Sequence, residues 1–238
     1  MNAVRRLEGR IAVVTGASRG IGRAVALRYA AEGAHVVALA RTVGALEELD
    51  DEIARIGGSA TLVPVDLAEL DRIDALGPSL YERFRKVDVL VGNAAALGTL
   101  GPVTHHDAAD FEEVFKINVL ANWRLMRTLE PALRLSDAGR AIFVTAAPAR
   151  KVPAYWGAYA ASKAALEAMV RVWAAELAAT PIRVNLLDPG PVGTRLHEAA
   201  FPGIDRATLR RPEDATEPFV DLAAAECRRH GETVEPYL

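Results

Sequence analysis

Residues 10–22 read RIAVVTGASRGIG. An apolar, β-branched run ends in a threonine, and Gly16, Gly20 and Gly22 follow just before a helix-patterned stretch. Glycines at such a junction let the chain turn tightly and let backbone N–H groups approach a pyrophosphate at the start of the next helix. Loops are glycine-rich in general, so the pattern gains force from closing a strand and opening a helix. It reads as a dinucleotide phosphate loop, with the spacing G-x-x-x-G-x-G.

Working outward, short β-branched runs recur at 10–16, 34–40, 60–66, 87–93, 140–146 and 182–188. Each is nearly continuous in apolar residues, as parallel strands covered on both faces require. Helical patterns lie between them, at about 20–33, 43–56, 68–85, 107–135 and 157–179. This alternation predicts an α/β fold, one doubly wound parallel sheet flanked by helices. Ligands in such sheets bind beyond the carboxyl ends of the strands. After residue 188 the regularity fades, and residues 189–212 are expected to form a substrate-side loop or lid. The chain is read as a single domain over 1–238, with no internal repeat or linker.

Composition excludes several alternatives. Hydrophobic residues make up 51% and charged residues 25% of 238, with a net charge of −3, so nucleic-acid binding lacks its basic field. Cys227 is the one cysteine, so no intrachain disulfide forms, which suits a reducing, cytoplasmic setting. It falls near the end of a predicted helix and reads as a packing residue. The stretch MNAVRRLEGR lacks the apolar core of a secretory signal, and no apolar run reaches the length of a membrane span.

The end of the second strand bears on cofactor choice. An acidic residue there would bond a ribose 2′-hydroxyl and repel a 2′-phosphate. No Asp or Glu occurs between Glu32 and Glu47; Arg41 follows Ala40, and Arg19 sits in the glycine loop. Two guanidiniums near one phosphate favour NADP(H) over NAD(H).

A second motif lies at YAASK, residues 159–163. With five Tyr and four Lys in 238 residues, chance supplies about 0.08 such Y-x-x-x-K pairs. With TGASRGIG, YAASK and the strand order together, the chain resembles the short-chain dehydrogenase/reductase family over essentially its whole length. The resemblance implies a single-domain Rossmann-like three-layer α/β/α fold. It also implies cofactor contacts from Gly16, Ser18, Arg19, Gly20, Ile21, Gly22, Arg41, Asp66 and Leu67. Further contacts are implied at Asn93 and Ala94 in NAAA, and at Pro189, Gly190, Val192 and Thr194 in NLLDPGPVGT.

The implied chemistry is hydride transfer between nicotinamide and a carbonyl or alcohol carbon. Tyr159 would give the carbonyl oxygen its proton, and Lys163, one turn along, would lower the phenol's pKa with the cofactor's charge and bond the nicotinamide ribose. Asn118, in FKINV, would hold a water relaying protons to Lys163. The family's fourth member, a Ser or Thr thirteen residues before the tyrosine, is Ala146 here. Thr145 points to the opposite face if the strand continues; Tyr155 and Thr194 are other candidate donors. Ala95 departs more mildly, standing where the family has glycine.

Loss of one oxyanion donor costs about 10²–10³ in turnover, so an enzyme of reduced activity is expected. The alternative is a catalytically inactive NADP(H)-binding regulatory or interaction protein. Leu97, Tyr155, Trp156 and residues 196–201 predict an apolar pocket wall around Ala146, suited to a hydrophobic or aromatic carbonyl or alcohol. His105 and His106 precede acids that suit a helix start, and no metal is expected there. The resemblance implies a homodimer or homotetramer through the helices at 107–135 and 157–179.

Overall fold

The computed structural model describes residues 5–237; residues 1–4 of the N-terminal stretch, and Leu238, lie outside the described residues. The first half of the chain forms β1 (Ile11–Thr15), α1 (Gly20–Ala31), β2 (His35–Ala40), α2 (Val43–Arg55) and β3 (Ser59–Pro64). Next come α3 (Leu70–Asp74), α4 (Leu76–Phe84), β4 (Val89–Gly92), α5 (Ala108–Phe115) and α6 (Ala121–Leu133). The remainder is β5 (Arg140–Val144), α7 (Pro148–Lys151), α8 (Gly157–Glu176), β6 (Arg183–Leu187), α9 (Arg195–Ala200), α10 (Glu217–Ala223) and β7 (Thr233–Val234).

The strands pair in parallel in the order β3-β2-β1-β4-β5-β6-β7. Alternate side chains enter two separate cores, which explains why the strand sequences are apolar throughout. Val13 of β1 joins one core while Ala12 and Val14 join the other. In β5, Phe143 opposes Ile142 and Val144 in the same way. α6 and α8 cover the first face with Leu125, Leu129, Leu166 and Val170; α1, α2 and α10 cover the second with Val25, Leu46 and Phe219. This is a Rossmann-like doubly wound sheet, and its strand order reverses between β1 and β4. The crevice at that switch point lies beside the glycine loop.

Three expectations need correction. The helix predicted over 68–85 is two helices, because Thr128 wedges between them. Its Oγ1 donates to the Asp74 carbonyl at 2.9 Å and accepts from the Gly77 N–H at 3.2 Å. The helix predicted over 107–135 contains a π turn at Lys116–Leu120. Cys227 does not lie in a helix: α10 ends at Ala223, and Cys227 packs half-buried against the second core from the following loop. α7 and β7 were not expected.

The loop conformation after α10 follows from Arg140, which is buried at the start of β5. Its guanidinium donates to the carbonyls of Ala224, Ala225 and Cys227, groups a longer helix would have used internally. Burial brings its pKa down to about 10, so it stays cationic at neutral pH. Arg140→Met leaves these carbonyls, that of Ala224 buried, without their donor. It is expected to cost about 3 kcal/mol, read as a lower denaturant midpoint with faster proteolysis after residue 223.

No described helix is long and apolar enough to cross a membrane. No group of three or more His, Cys, Asp and Glu side chains among the described residues could hold a metal ion. His106 instead packs edge-on against Phe111 at 5.9 Å.

Candidate active site

The glycine loop leaves β1 with Gly16 and Gly20 at φ of +66° and +56°, a region that favours glycine. Gly22 is required for another reason: a Cβ there would lie 2.3 Å from the Gly16 carbonyl oxygen and 2.5 Å from Asn93 Nδ2. The first turn of α1 therefore packs directly onto the strand ends. Ser18 and Ile21 are half-buried along this turn, and Arg19 is exposed at its cap. Thr194, from the segment after β6, brings its methyl within 3.2 Å of where a Gly20 Cβ would stand. The glycine turn and the segment after β6 thus meet across a space that a Cβ at residue 20 would crowd.

At the neighbouring strand ends, Arg41 is exposed and its guanidinium lies 3.7 Å from Asp66. Asp66 Oδ1 accepts from the Ala68 N–H at 3.0 Å, which turns the chain past Leu67. Asn93 donates through Nδ2 to the Thr15 carbonyl at 2.9 Å, while Thr15 Oγ1 accepts from the N–H groups of Asn93 and Ala94. Two residues on, Asn118 grips both sides of Ala96: Oδ1 accepts from its N–H at 2.8 Å and Nδ2 donates to its carbonyl at 2.9 Å. Its other amide hydrogen goes to Ser162 Oγ at 2.9 Å. Asn118 is fully buried in the π turn, so its amide ties the loop after β4 to α8 and has no donor left over for a water.

Tyr159 and Lys163 share one face of α8 and are both buried, 5% and 2% exposed. Lys163 Nζ lies 5.8 Å from the centre of the Tyr159 ring and donates to the Val144 carbonyl at 2.8 Å. Burial brings the lysine down to about 8, against the opposing pull of Asp188 and Glu167. The protein alone pushes the phenol up, through burial first and the Asp188 charge second; the lowering expected from the sequence belongs to the cofactor-bound site. The lysine is directed at a backbone carbonyl, so it does not offset the loss of water around the hydroxyl.

Ala146 is half-buried just past the end of β5. Thr145 is no substitute, since its hydroxyl is buried and donates to Glu167 Oε1 at 2.7 Å. Tyr155 is 64% exposed at φ +72° and offers its carbonyl to the Gly101 N–H. Thr194 uses its hydroxyl oxygen to cap α9, accepting from the His197 N–H at 3.2 Å.

Trp156 stands edge-on to Tyr159 at 5.9 Å and meets Phe201 at 5.5 Å, with His197 a further 4.8 Å on. Burial lowers the His197 pKa, and its Nδ1 is buried without a partner. Leu97 is half-buried in the loop that Asn118 holds. In the segment after β6, the Gly190 N–H donates to Asp188 Oδ1 at 3.0 Å, Pro189 and Gly190 turn the chain, and buried Val192 bridges to Arg210. Sequence reasoning passed over Glu167, Asp188 and Arg150, which gather behind Lys163. Glu167 had a legible signal, one further turn along the Tyr159–Lys163 face.

The family described as short chain dehydrogenase matches residues 10–204. The Escherichia coli oxidoreductase YciK is 34% identical over 226 residues, covering 94% of this chain and 89% of the relative. A short chain dehydrogenase structure from Salmonella enterica serovar Typhi superposes with a TM-score of 0.96 at 33% identity, covering 100% of both chains. Another from Shigella flexneri, solved in complex with NADP, gives 0.93 at 33% identity over 98% of this chain and 99% of that one.

Proposed function

The chain belongs to the short-chain dehydrogenase family, and we propose that it is an NADP(H)-dependent oxidoreductase acting on a hydrophobic or aromatic carbonyl/alcohol pair. The observation that carries this reading is the buried Tyr159–Lys163 pair, faced by Trp156 at the crevice beside the glycine loop. NADP(H), when bound, supplies or accepts the hydride. Gly16, Gly20 and Gly22 leave room for its pyrophosphate, Thr194 closes on it, and Arg19 and Arg41 favour the 2′-phosphate. Support for that preference also comes from the Shigella relative's complex with NADP.

In reduction, Tyr159 holds the proton that the substrate oxygen takes, and burial keeps that proton on the phenol through the neutral range. Lys163 binds the cofactor ribose in exchange for the Val144 carbonyl. Asn118 acts by holding Ala96 and Ser162 in place. Residues 189–212 serve as the lid, with Phe201 against Trp156 closing the apolar wall. Leu120, Trp123 and Val172 stand exposed on and beside α6 and α8, which supports self-association through these helices.

A second reading, a cofactor-binding protein without turnover, is favoured by Ala146 together with the engaged Thr145 hydroxyl. A panel of apolar and aromatic carbonyls assayed with NADPH and NADH separates the two. NADPH consumption on some member is expected; tight NADPH binding with no turnover across the panel leaves the second reading standing. In the same assay, Arg41→Ala is expected to raise the NADPH dissociation constant about tenfold, the scale of one charge-assisted contact. NADH binding should change little, and equal losses for both would remove Arg41 from cofactor choice.

A further inference from the structure

Arg150, on the short α7 that follows Ala146, is the hub of a cluster the mechanism above does not use. Its guanidinium donates to Glu167 Oε1 at 2.5 Å and to Asp188 Oδ2 at 2.6 Å, and it pairs with Glu235 just after β7. Glu167 and Asp188 are 3% and 2% exposed, and buried carboxylates of this kind need a counter-charge. Glu167 also takes the Thr145 hydroxyl and, at 2.9 Å, Arg171. One cation thus joins four pieces of the molecule: the segment carrying Ala146, α8 one turn beyond Lys163, the end of β6, and the chain after β7.

Resting on the oxidoreductase reading, we propose that Arg150 is a positioning residue of the active site. It clamps the Ala146 segment onto α8 and β6, and it neutralises the two acids that stand behind Tyr159 and Lys163. The charged groups facing that pair are Asp188 at the end of β6 and Glu167 on α8, backed by Arg150, Arg171 and Glu235. His197 on α9 lies beyond Phe201. Asp188 opposes ionisation of the Tyr159 phenol, so the charge on Arg150 acts in favour of the phenolate that alcohol oxidation needs. The sign is fixed: removing Arg150 makes the phenolate form at higher pH, and removing the Asp188 charge makes it form at lower pH.

The test is a phenolate absorbance titration of the protein with NADP⁺ bound, with the Tyr159→Phe trace subtracted, run beside the carbonyl panel. Arg150→Met is expected to move the Tyr159 midpoint up by about one pH unit. Adding Asp188→Asn, which keeps an oxygen for the Gly190 N–H, should bring it back. Arg150→Lys keeps the charge but not the three-way grip, so it should melt earlier with a near-normal midpoint. An unmoved midpoint in Arg150→Met, or one that Asp188→Asn does not restore, overturns the proposal. If Arg150→Met alone does not fold, the double variant decides: recovered folding and midpoint support the proposal, and failure of either overturns it. Variants that shift as expected, beside a wild type that turns over no carbonyl, defeat the oxidoreductase reading alone. An active wild type whose Arg150→Met variant shows no shift defeats the Arg150 proposal alone.

Discussion

Tyr159→Phe is expected to lower kcat/KM on any active carbonyl by about 10³, within the range for loss of a positioned general acid. NADPH affinity should stay within about twofold. The reason lies in where the ring sits. It is 5% exposed, edge-on to Trp156, and its oxygen makes no hydrogen bond to a described protein group that the fold depends on. Phe fills the same volume, so only the proton and the phenolate are lost. The Ser162 hydroxyl that secures this turn of α8 bonds the backbone carbonyl of residue 159 and is indifferent to the side chain.

The pH dependence sharpens the same prediction. Reduction needs the phenol protonated, and burial together with Asp188 raises its pKa, so the reductive rate should hold steady through neutral pH and fall only in alkali. Oxidation needs the phenolate and should climb with pH over the same interval. Steady-state rates in both directions and a fluorescence titration of NADPH provide the measurements. A variant that keeps wild-type turnover, or loses cofactor binding in step with activity, would remove Tyr159 from the role of acid.

The strands and the glycine loop were legible because two local requirements agree there: apolar side chains for both faces, and small residues where α1 meets the crevice. The Tyr159–Lys163 pair was legible because one helical turn fixes their shared face before any tertiary contact is known. What escaped depends on partners far apart in sequence. Nothing near residue 75 announces that Thr128 will divide α3 from α4. Nothing in TVEP announces a seventh strand, because its two residues pair only once β6 is already in the sheet. Arg150 and Asp188 are 38 residues apart and meet only through the β5–β6 pairing. The protein's own upward push on the phenol was hidden for a related reason. Sequence places Lys163 on the right face, but not the Val144 carbonyl that takes its proton donor.

Ala146→Ser carries the largest expected gain: kcat on a reducible carbonyl should rise by about 10² while NADPH affinity stays nearly constant, the reverse of deleting an oxyanion donor. The backbone there is already fixed. The Thr145 N–H bonds the Leu187 carbonyl at 2.9 Å, the Ala149 N–H bonds the carbonyl of residue 146 at 3.0 Å, and the side chain is half-buried. A serine would project one oxygen along the existing Cβ direction, with no repacking of β5. Thr145 cannot have taken over the task, because its hydroxyl is spent on Glu167, so Thr145→Val should not cancel the gain. If the serine adds nothing and the wild type already turns over at an ordinary rate, the substrate oxygen must be held by a group outside this segment. Thr194 and His197, across the pocket on α9 and its cap, are then the next positions to vary. If the serine adds nothing and both proteins are inert, hydride transfer is blocked by more than a missing hydroxyl, and the Tyr159–Lys163 pair serves cofactor binding alone.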